Sequence, residues 1–256
     1  MGRSIFSLEG KVAIVTGASR GLGQAIAVAL AEAGADLFVT ARDESSLDET
    51  KARIVARGRQ CHAAAQNVRD TSSIAATVER CREKLGRIDI LVNNAGFEHV
   101  SPSVDVDEAL WDAIVDTNLK GAFFWSQAVA RVIAGQGAGG SIVNLCSLTS
   151  FVGIPTAVPY TSSKSGLLGM TRALASEWAA SGVRVNAIAP GYFRTAMTEG
   201  FYQDAAWQDR MMSKIPQGRF GKDEDIGGTV VFLCSDASAY VTGHCIPVDG
   251  GFLASI

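Results

Sequence analysis

Short apolar runs alternate with longer amphipathic ones through this chain of 256 residues, and that order restricts the folds open to it. The runs KVAIVT (11–16), DLFVTA (36–41), IDILVN (88–93), SIVNLC (141–146), VRVNAIA (183–189) and CIPVDG (245–250) have the length and apolarity of buried strands. QCHAAA (60–65) reads as a weaker strand. Between these runs, helices are expected over about 22–34, 43–58, 71–85, 106–134, 159–180 and 223–235. Gly34 closes the first, and the second carries acids early, bases late and Gly58 at its end, as the helix dipole favours. GQGAGG (135–140) breaks the long fourth helix. Repeated β-α-β order implies a parallel sheet with helices on both faces, and right-handed crossovers make it doubly wound. Neither a dividing linker nor a solenoid-length repeat interrupts the pattern, so one α/β domain over 1–256 is expected. The irregular insert, 192–220, is long enough to be a lid, a binding loop or a mobile segment.

Composition narrows the function classes. A net charge of −3 gives no electrostatic case for nucleic acid or an anionic membrane as partner. The N-terminal MGRSIFSLEGK lacks the apolar stretch of a signal peptide, and Phe6 stands where a myristoylation motif needs Ser or Thr. No apolar run reaches the roughly 18 residues of a membrane span. The 5 cysteines are scattered without a C-x-x-C, which suits free thiols in a reducing cytoplasm better than disulfides or zinc.

VTGASRGLGQAI joins the first strand to the first helix and places Gly17, Gly21 and Gly23 at the turn. Glycine permits positive φ and lets a pyrophosphate approach the helix N-terminus, where Ser19 and Leu22 also lie. The alternative is a tight turn without a ligand. After the second strand, Ala41 stands where an acid would bind the adenine ribose hydroxyls, and Arg42 follows. Arg20 and Arg42 converging on one ribose favour the 2′-phosphate of NADP(H). NAD(H) is the alternative if Asp43 is the ribose ligand.

In PYTSSKSG, Tyr160 and Lys164 are four apart on one helix face, a spacing that by itself also describes a surface pair. TGASRGLG (16–23), NNAG (93–96), NLKG (118–121), Ser147, YTSSK (160–164), PG (190–191) and VDGG (248–251) occur in that order. Together they resemble the short-chain dehydrogenase/reductase family over almost the whole chain. The resemblance implies a Rossmann-like fold with a seven-stranded parallel sheet, a nicotinamide cofactor and interconversion of an alcohol and a carbonyl. It implies a catalytic set of Asn118, Ser147, Tyr160 and Lys164. Reduction of a carbonyl leaves an oxyanion that needs a proton from a group within hydrogen-bond reach. A free tyrosine, with pKa near ~10, becomes a useful base only beside positive charge, so Lys164 is expected to lower the phenol of Tyr160. Ser147 is expected to hold the substrate oxygen. By resemblance, Lys164 also binds the nicotinamide ribose, and Asn118 anchors a water beside Lys164; Asn118 also reads as a helix kink.

The resemblance extends the cofactor site to Asn94, Ala95 and Gly96, to Asn67 and Val68 after the third strand, and to Pro190, Gly191, Phe193 and Thr195 after the sixth. NNAG also braces the sheet in the family, and Asn67 departs from the acid found in many members. Glu98 and His99 face either the substrate or solvent; His62 and His244 form no metal-like cluster, so no catalytic metal is expected. Specificity is expected in 98–103, 148–156 and 192–218. There Tyr192, Phe193, Met197, Phe201, Tyr202, Trp207, Met211 and Met212 either cover an apolar acyl chain or form the inner face of lid helices. VDGGFLASI, APGYFRTAMTE and the Cys-Ser pair at 146–147 resemble gluconate 5-dehydrogenases and related sugar-acid members. The TGASRGLG start and the length are similar to 3-oxoacyl-carrier-protein reductases. The expected partner is a small hydroxy or keto substrate. An intact catalytic set argues against a cofactor-binding sensor or scaffold, and an epimerase or dehydratase predicts a larger C-terminal substrate domain. The family resemblance implies a homotetramer joined through the helices at 106–134 and 159–180.

Overall fold

The computed structural model describes residues 4–194 and 200–255. Seven parallel strands form one sheet: β1 (Val12–Thr16), β2 (Asp36–Ala41), β3 (Cys61–Ala65), β4 (Ile90–Asn93), β5 (Gly140–Leu145), β6 (Val183–Pro190) and β7 (Cys245–Val248). Their order is β3-β2-β1-β4-β5-β6-β7. The direction of winding reverses between β1 and β4, where Ile14 pairs with Leu91. Open sheets of this kind bind ligands outside the carboxyl ends of the strands at that switch.

The helices are α1 (Gly21–Glu32), α2 (Asp48–Val55), α3 (Ile74–Leu85), α4 (Glu108–Val115), α5 (Gly121–Gln136), α6 (Val158–Trp178), α7 (Ala205–Met212) and α8 (Asp223–Cys234). Side chains of β1 alternate between two cores, as a strand buried on both faces must. Ala13 and Val15 join Ile26 and Leu30 of α1, Ile54 of α2 and Val230 of α8. Val12 and Ile14 join Val78 of α3, Trp125 and Val129 of α5 and Leu174 of α6. The β1–β4 junction is pinned by the buried Asp89 carboxylate, which accepts from the Val12 N–H at 2.9 Å and from both forks of Arg87. Losing it would leave a buried N–H without a partner, at a cost of about 1–3 kcal/mol.

Three helices differ from the sequence pattern, each for a local reason. The helix expected over 106–134 is interrupted by a π-helical turn at Asp116–Lys120. Gly121, which follows it, runs so close under β3's exit that a Cβ there would lie 2.7 Å from the Val68 carbonyl. The helix expected from 43 starts with a 3-10 turn at Ser45–Leu47, because the Asp43 carboxylate bonds the Ser45 N–H and hydroxyl at 3.0 and 2.8 Å. The third helix begins at Ile74, after Ser72 and Ser73 donate to the Asp70 carboxylate at 2.6 and 2.7 Å. The insert after β6 holds a 3-10 turn (Phe201–Gln203) and α7, whose N-cap Asp204 accepts from the Trp207 N–H. Thr195 and Met197 lie outside the described residues. No helix among the described residues is long and apolar enough to cross a membrane.

Candidate active site

At the carboxyl edge of β1 the chain turns through Gly17 at φ +66° and Gly21 at φ +55°. A Cβ on Gly17 would stand 2.8 Å from Ala95 Cα, and one on Gly23 would run into the Gly17 carbonyl and the Asn94 amide. The glycines therefore let the turn pack directly on the segment after β4. Asn94 Nδ2 donates to the carbonyls of Thr16 and Gly17 at 3.0 and 2.9 Å. The buried Thr16 hydroxyl accepts from the N–H groups of Asn94 and Ala95, both at 3.1 Å. Thr50 of α2 donates to the Ala18 carbonyl at 2.8 Å, and Gln24 of α1 donates to Thr50 at 2.9 Å. The bracing role of NNAG is thus explicit, and Thr16, Gln24 and Thr50 are supports that the motifs did not single out.

The N-terminus of α1 has no side-chain cap on Arg20 and no acid in its first turn, leaving its N–H groups and positive dipole end open to an anion. Ser19 lies half-buried in the same turn. Arg20 and Arg42 are exposed, and neither forms an ion pair among the described residues. Asp43, the alternative ribose ligand, is turned to Ser45. This donor set fits a dinucleotide carrying an extra phosphate on its adenosine ribose. Asn67 is exposed, and its side-chain carbonyl already accepts from the Arg69 N–H at 3.1 Å. Val68 is buried with its carbonyl against Gly121. Past β6, the Gly191 N–H donates to Val248, and Gly191 packs on Asp249. The Phe193 ring is buried in the core against Gly221, so only its main chain is left to meet a ligand.

The predicted catalytic side chains meet where β4, β5 and α6 converge. Ser147 follows β5 as the N-cap of a short 3-10 turn (Leu148–Ser150). The Ser150 hydroxyl donates to the Lys164 carbonyl at 2.8 Å, tying that turn to α6. Lys164 is buried, and its ammonium donates to the Leu145 carbonyl at 2.6 Å and lies 5.6 Å from the Tyr160 ring centre. Burial draws Lys164 down to about 8, against the opposing pull of Cys146 and Glu98. Tyr160 moves the other way from the expectation: burial and then the Glu98 charge push its phenol above the usual value, and a hydrogen bond with Ser147 draws it back.

Asn118 occupies the middle of the π turn. Its Oδ1 accepts from the Phe97 N–H, and its Nδ2 donates to the Phe97 carbonyl, both at 3.0 Å. Nδ2 also donates to the Ser163 hydroxyl at 3.1 Å. The widened turn thus aims an amide at the strand exit and at α6 together, a use typical of π-bulges at functional sites. Gly166 lets α6 come this close, since a Cβ there would meet Leu119 at 2.9 Å. Ser163 was missed from sequence although it lies inside YTSSK.

Glu98 is half-buried at this mouth, whereas His99 is exposed. Burial pushes the Glu98 carboxyl up, partly opposed by Lys164. The aromatics of the insert after β6 pack on one another: Tyr192 and Tyr202 each meet Trp207 edge-on at 5.6 and 5.3 Å, and Trp207 stacks on Phe220 at 6.2 Å. Tyr202 and Met211 are buried. Among the described residues no group of three His, Cys, Asp or Glu side chains is placed to hold a metal.

Residues 17–253 match the family described as enoyl-(acyl carrier protein) reductase. A 2-dehydro-3-deoxy-D-gluconate 5-dehydrogenase from Dickeya dadantii is 44% identical over 97% of this chain and 98% of its own length. The crystal structure of a protein assigned as a short-chain alcohol dehydrogenase from Sinorhizobium meliloti 1021 superposes with a TM-score of 0.97 at 68% identity, covering 99% of this chain and all of that one. A gluconate 5-dehydrogenase from Burkholderia cenocepacia, solved with NADP and tartrate, superposes with a TM-score of 0.94 at 35% identity over 98% of each chain.

Proposed function

Because the chain belongs to the short-chain dehydrogenase/reductase family, we propose that it is an NADP(H)-dependent oxidoreductase interconverting a secondary alcohol and a ketone of a sugar acid. The observation that carries the reading is the convergence of Ser147, Tyr160, Lys164 and Asn118 at the carboxyl edge of β5, beside a glycine turn built to receive phosphate. The nicotinamide, when bound, supplies or accepts the hydride. The Ser147 hydroxyl and the Tyr160 phenol hold the reacting oxygen between them. As a ketone is reduced, Tyr160 gives its proton to the developing alkoxide and becomes phenolate. An ordinary phenol, with pKa near ~10, is already protonated at neutral pH, and burial pushes Tyr160 further the same way. In oxidation the phenolate must form first, and Lys164, still mostly charged at pH 7 with its pKa at about 8, stabilises it across the ring. Asn118 keeps the segment after β4 against α6 and so keeps the mouth in register.

Support for the sugar-acid class comes from the 44% identical relative, whose name states that substrate. The self-packed lid aromatics favour a compact polar substrate over an acyl chain. Initial rates with NADPH on keto sugar acids, β-ketoacyl thioesters and simple ketones test the assignment. Turnover confined to the thioesters would overturn it. The same reading takes the chain to be a cytoplasmic homotetramer joined through α4–α5 and α6, and a monomer mass by light scattering would refute that.

A further inference from the structure

The segment leaving β4 is fixed unusually firmly for a loop. Asn118 grips Phe97 by both its N–H and its carbonyl. A Cβ on Gly96 would lie 3.5 Å from the Lys164 ammonium, so the chain runs directly beside that lysine before reaching Glu98. Beyond Glu98, the Ser101 N–H donates to the Thr156 carbonyl at 2.8 Å, joining this loop to the segment that leads into α6. Thr156 holds a φ of +67°, the one positive value outside glycine among the described residues. Glu98 is thereby suspended between two anchored points, half-buried, while His99 next to it is exposed. Its charge acts on three groups from different parts of the mouth: Tyr160 and Lys164 of α6 and Tyr192 after β6. None of the proton-transfer steps uses this carboxylate, and it opposes phenolate formation on Tyr160. A half-buried acid held in that place shapes what can lie beside the reacting carbon.

We propose that Glu98 is a specificity-determining residue that accepts hydrogen bonds from a hydroxylated carbon next to the reacting carbon and rejects a carboxylate in that position. The inference rests on the sugar-acid reading and sharpens it. A carboxylate offers no donor to Glu98 and brings a second negative charge to the same half-buried mouth. A hydroxymethyl or secondary hydroxyl brings a donor and no charge. The substrate would then react at a carbon remote from its own carboxylate, with its hydroxylated end against Glu98 and its acid end directed away from the Tyr160–Glu98 side.

The 2-keto and 5-keto isomers of gluconate make a matched test, because they have the same composition and net charge and differ in how far the carbonyl stands from the carboxylate. With NADPH and the intact protein, kcat/KM for the 5-keto isomer is expected to exceed that for the 2-keto isomer by about tenfold or more, the scale of two like charges a few ångströms apart near a protein surface. In Glu98→Gln the ratio is expected to fall to within roughly threefold, mainly through a rise in the 2-keto arm, as the repulsion is removed. NADPH affinity, followed by fluorescence titration, should be unchanged and reports that the variant is folded. Equal use of the two isomers by the wild-type protein overturns the proposal without any variant and leaves the sugar-acid reading standing. A ratio that persists in a Glu98→Gln protein with normal NADPH affinity also overturns it. Failure of the wild-type protein to reduce either isomer sinks the sugar-acid reading and this inference with it.

Discussion

The two sides of the sheet's carboxyl edge are held by different means. On the β1–β4 side, the proposed cofactor surface is main chain, and buried side chains lock it: Asn94 and Thr16 fix the glycine turn, and Thr50 fixes it from α2. On the β5–β6 side, the proposed reaction rests on side chains themselves, those of Ser147, Tyr160 and Lys164, with Glu98 and Tyr192 around them. The first side needs glycine at fixed positions because a Cβ would collide with backbone. On the proposed function, the contrast separates cofactor binding from substrate choice.

If that separation is real, a change on one side leaves the other intact. Tyr160→Phe carries the largest expected effect. It removes the proton donor while keeping the ring, so kcat should fall by about 10²–10⁴. NADPH dissociation constants measured by fluorescence should stay at the wild-type value. Near-normal turnover would deny Tyr160 its role, and a parallel loss of NADPH affinity would deny the division between the two sides.

Arg42→Ala probes the opposite side with a smaller effect. Arg42 is exposed and without an ion pair among the described residues, while Asp43 is engaged with Ser45. Hydrogen bonds to a charged partner are worth about 1.5–3 kcal/mol, so the preference for NADPH over NADH should drop by about tenfold or more. The ratio of kcat/KM for the two cofactors reads this directly. The variant's kcat with saturating NADPH should hold. A preference that survives in Arg42→Ala would assign the 2′-phosphate to Arg20 alone.

The same contrast explains what the amino-acid order disclosed. The central strands were legible because they are buried on both faces and read as short apolar runs, whereas β3 and β7 are only partly buried; β2 falls on the expected residues, 36–41. The glycine turn was legible because sterics leave no other residue for Gly17 and Gly23. Tyr160 and Lys164 were legible through their spacing, but their electrostatics were not. The Lys164 ammonium is held by a strand carbonyl, and Tyr160 is pushed up by burial and then by Glu98, all consequences of tertiary neighbours. The π turn was legible only as a kink at Asn118, and its form was not, for a related reason. Its residues have ordinary helical character, and only the Val68 carbonyl above Gly121 and the Phe97 main chain before Asn118 show why an extra residue is accommodated. Glu98 stood at the right place in the sequence, yet nothing local distinguished it from the exposed His99.

Ser163→Ala gives the smallest expected effect and tests the joint between the two sides. The Ser163 hydroxyl is fully buried, donates to the Tyr160 carbonyl at 2.7 Å and accepts from Asn118 Nδ2. Asn118 keeps both of its bonds to Phe97 in the variant, so the grip on the loop is loosened from the α6 side only. One hydrogen bond of this kind contributes about 0.5–1.5 kcal/mol, which urea denaturation can resolve as a lower midpoint at unchanged slope. Because Asn118 sets where Phe97 ends and Glu98 begins, kcat/KM for a keto sugar acid should fall a few-fold, on the order of the same hydrogen-bond energy. NADPH affinity should not move, since Asn94, Thr16 and Thr50 hold the glycine turn without help from α6. A loss of NADPH affinity as large as the loss of kcat/KM would mean that the π turn transmits strain across the β4 exit, and the two sides would have to be treated as one unit.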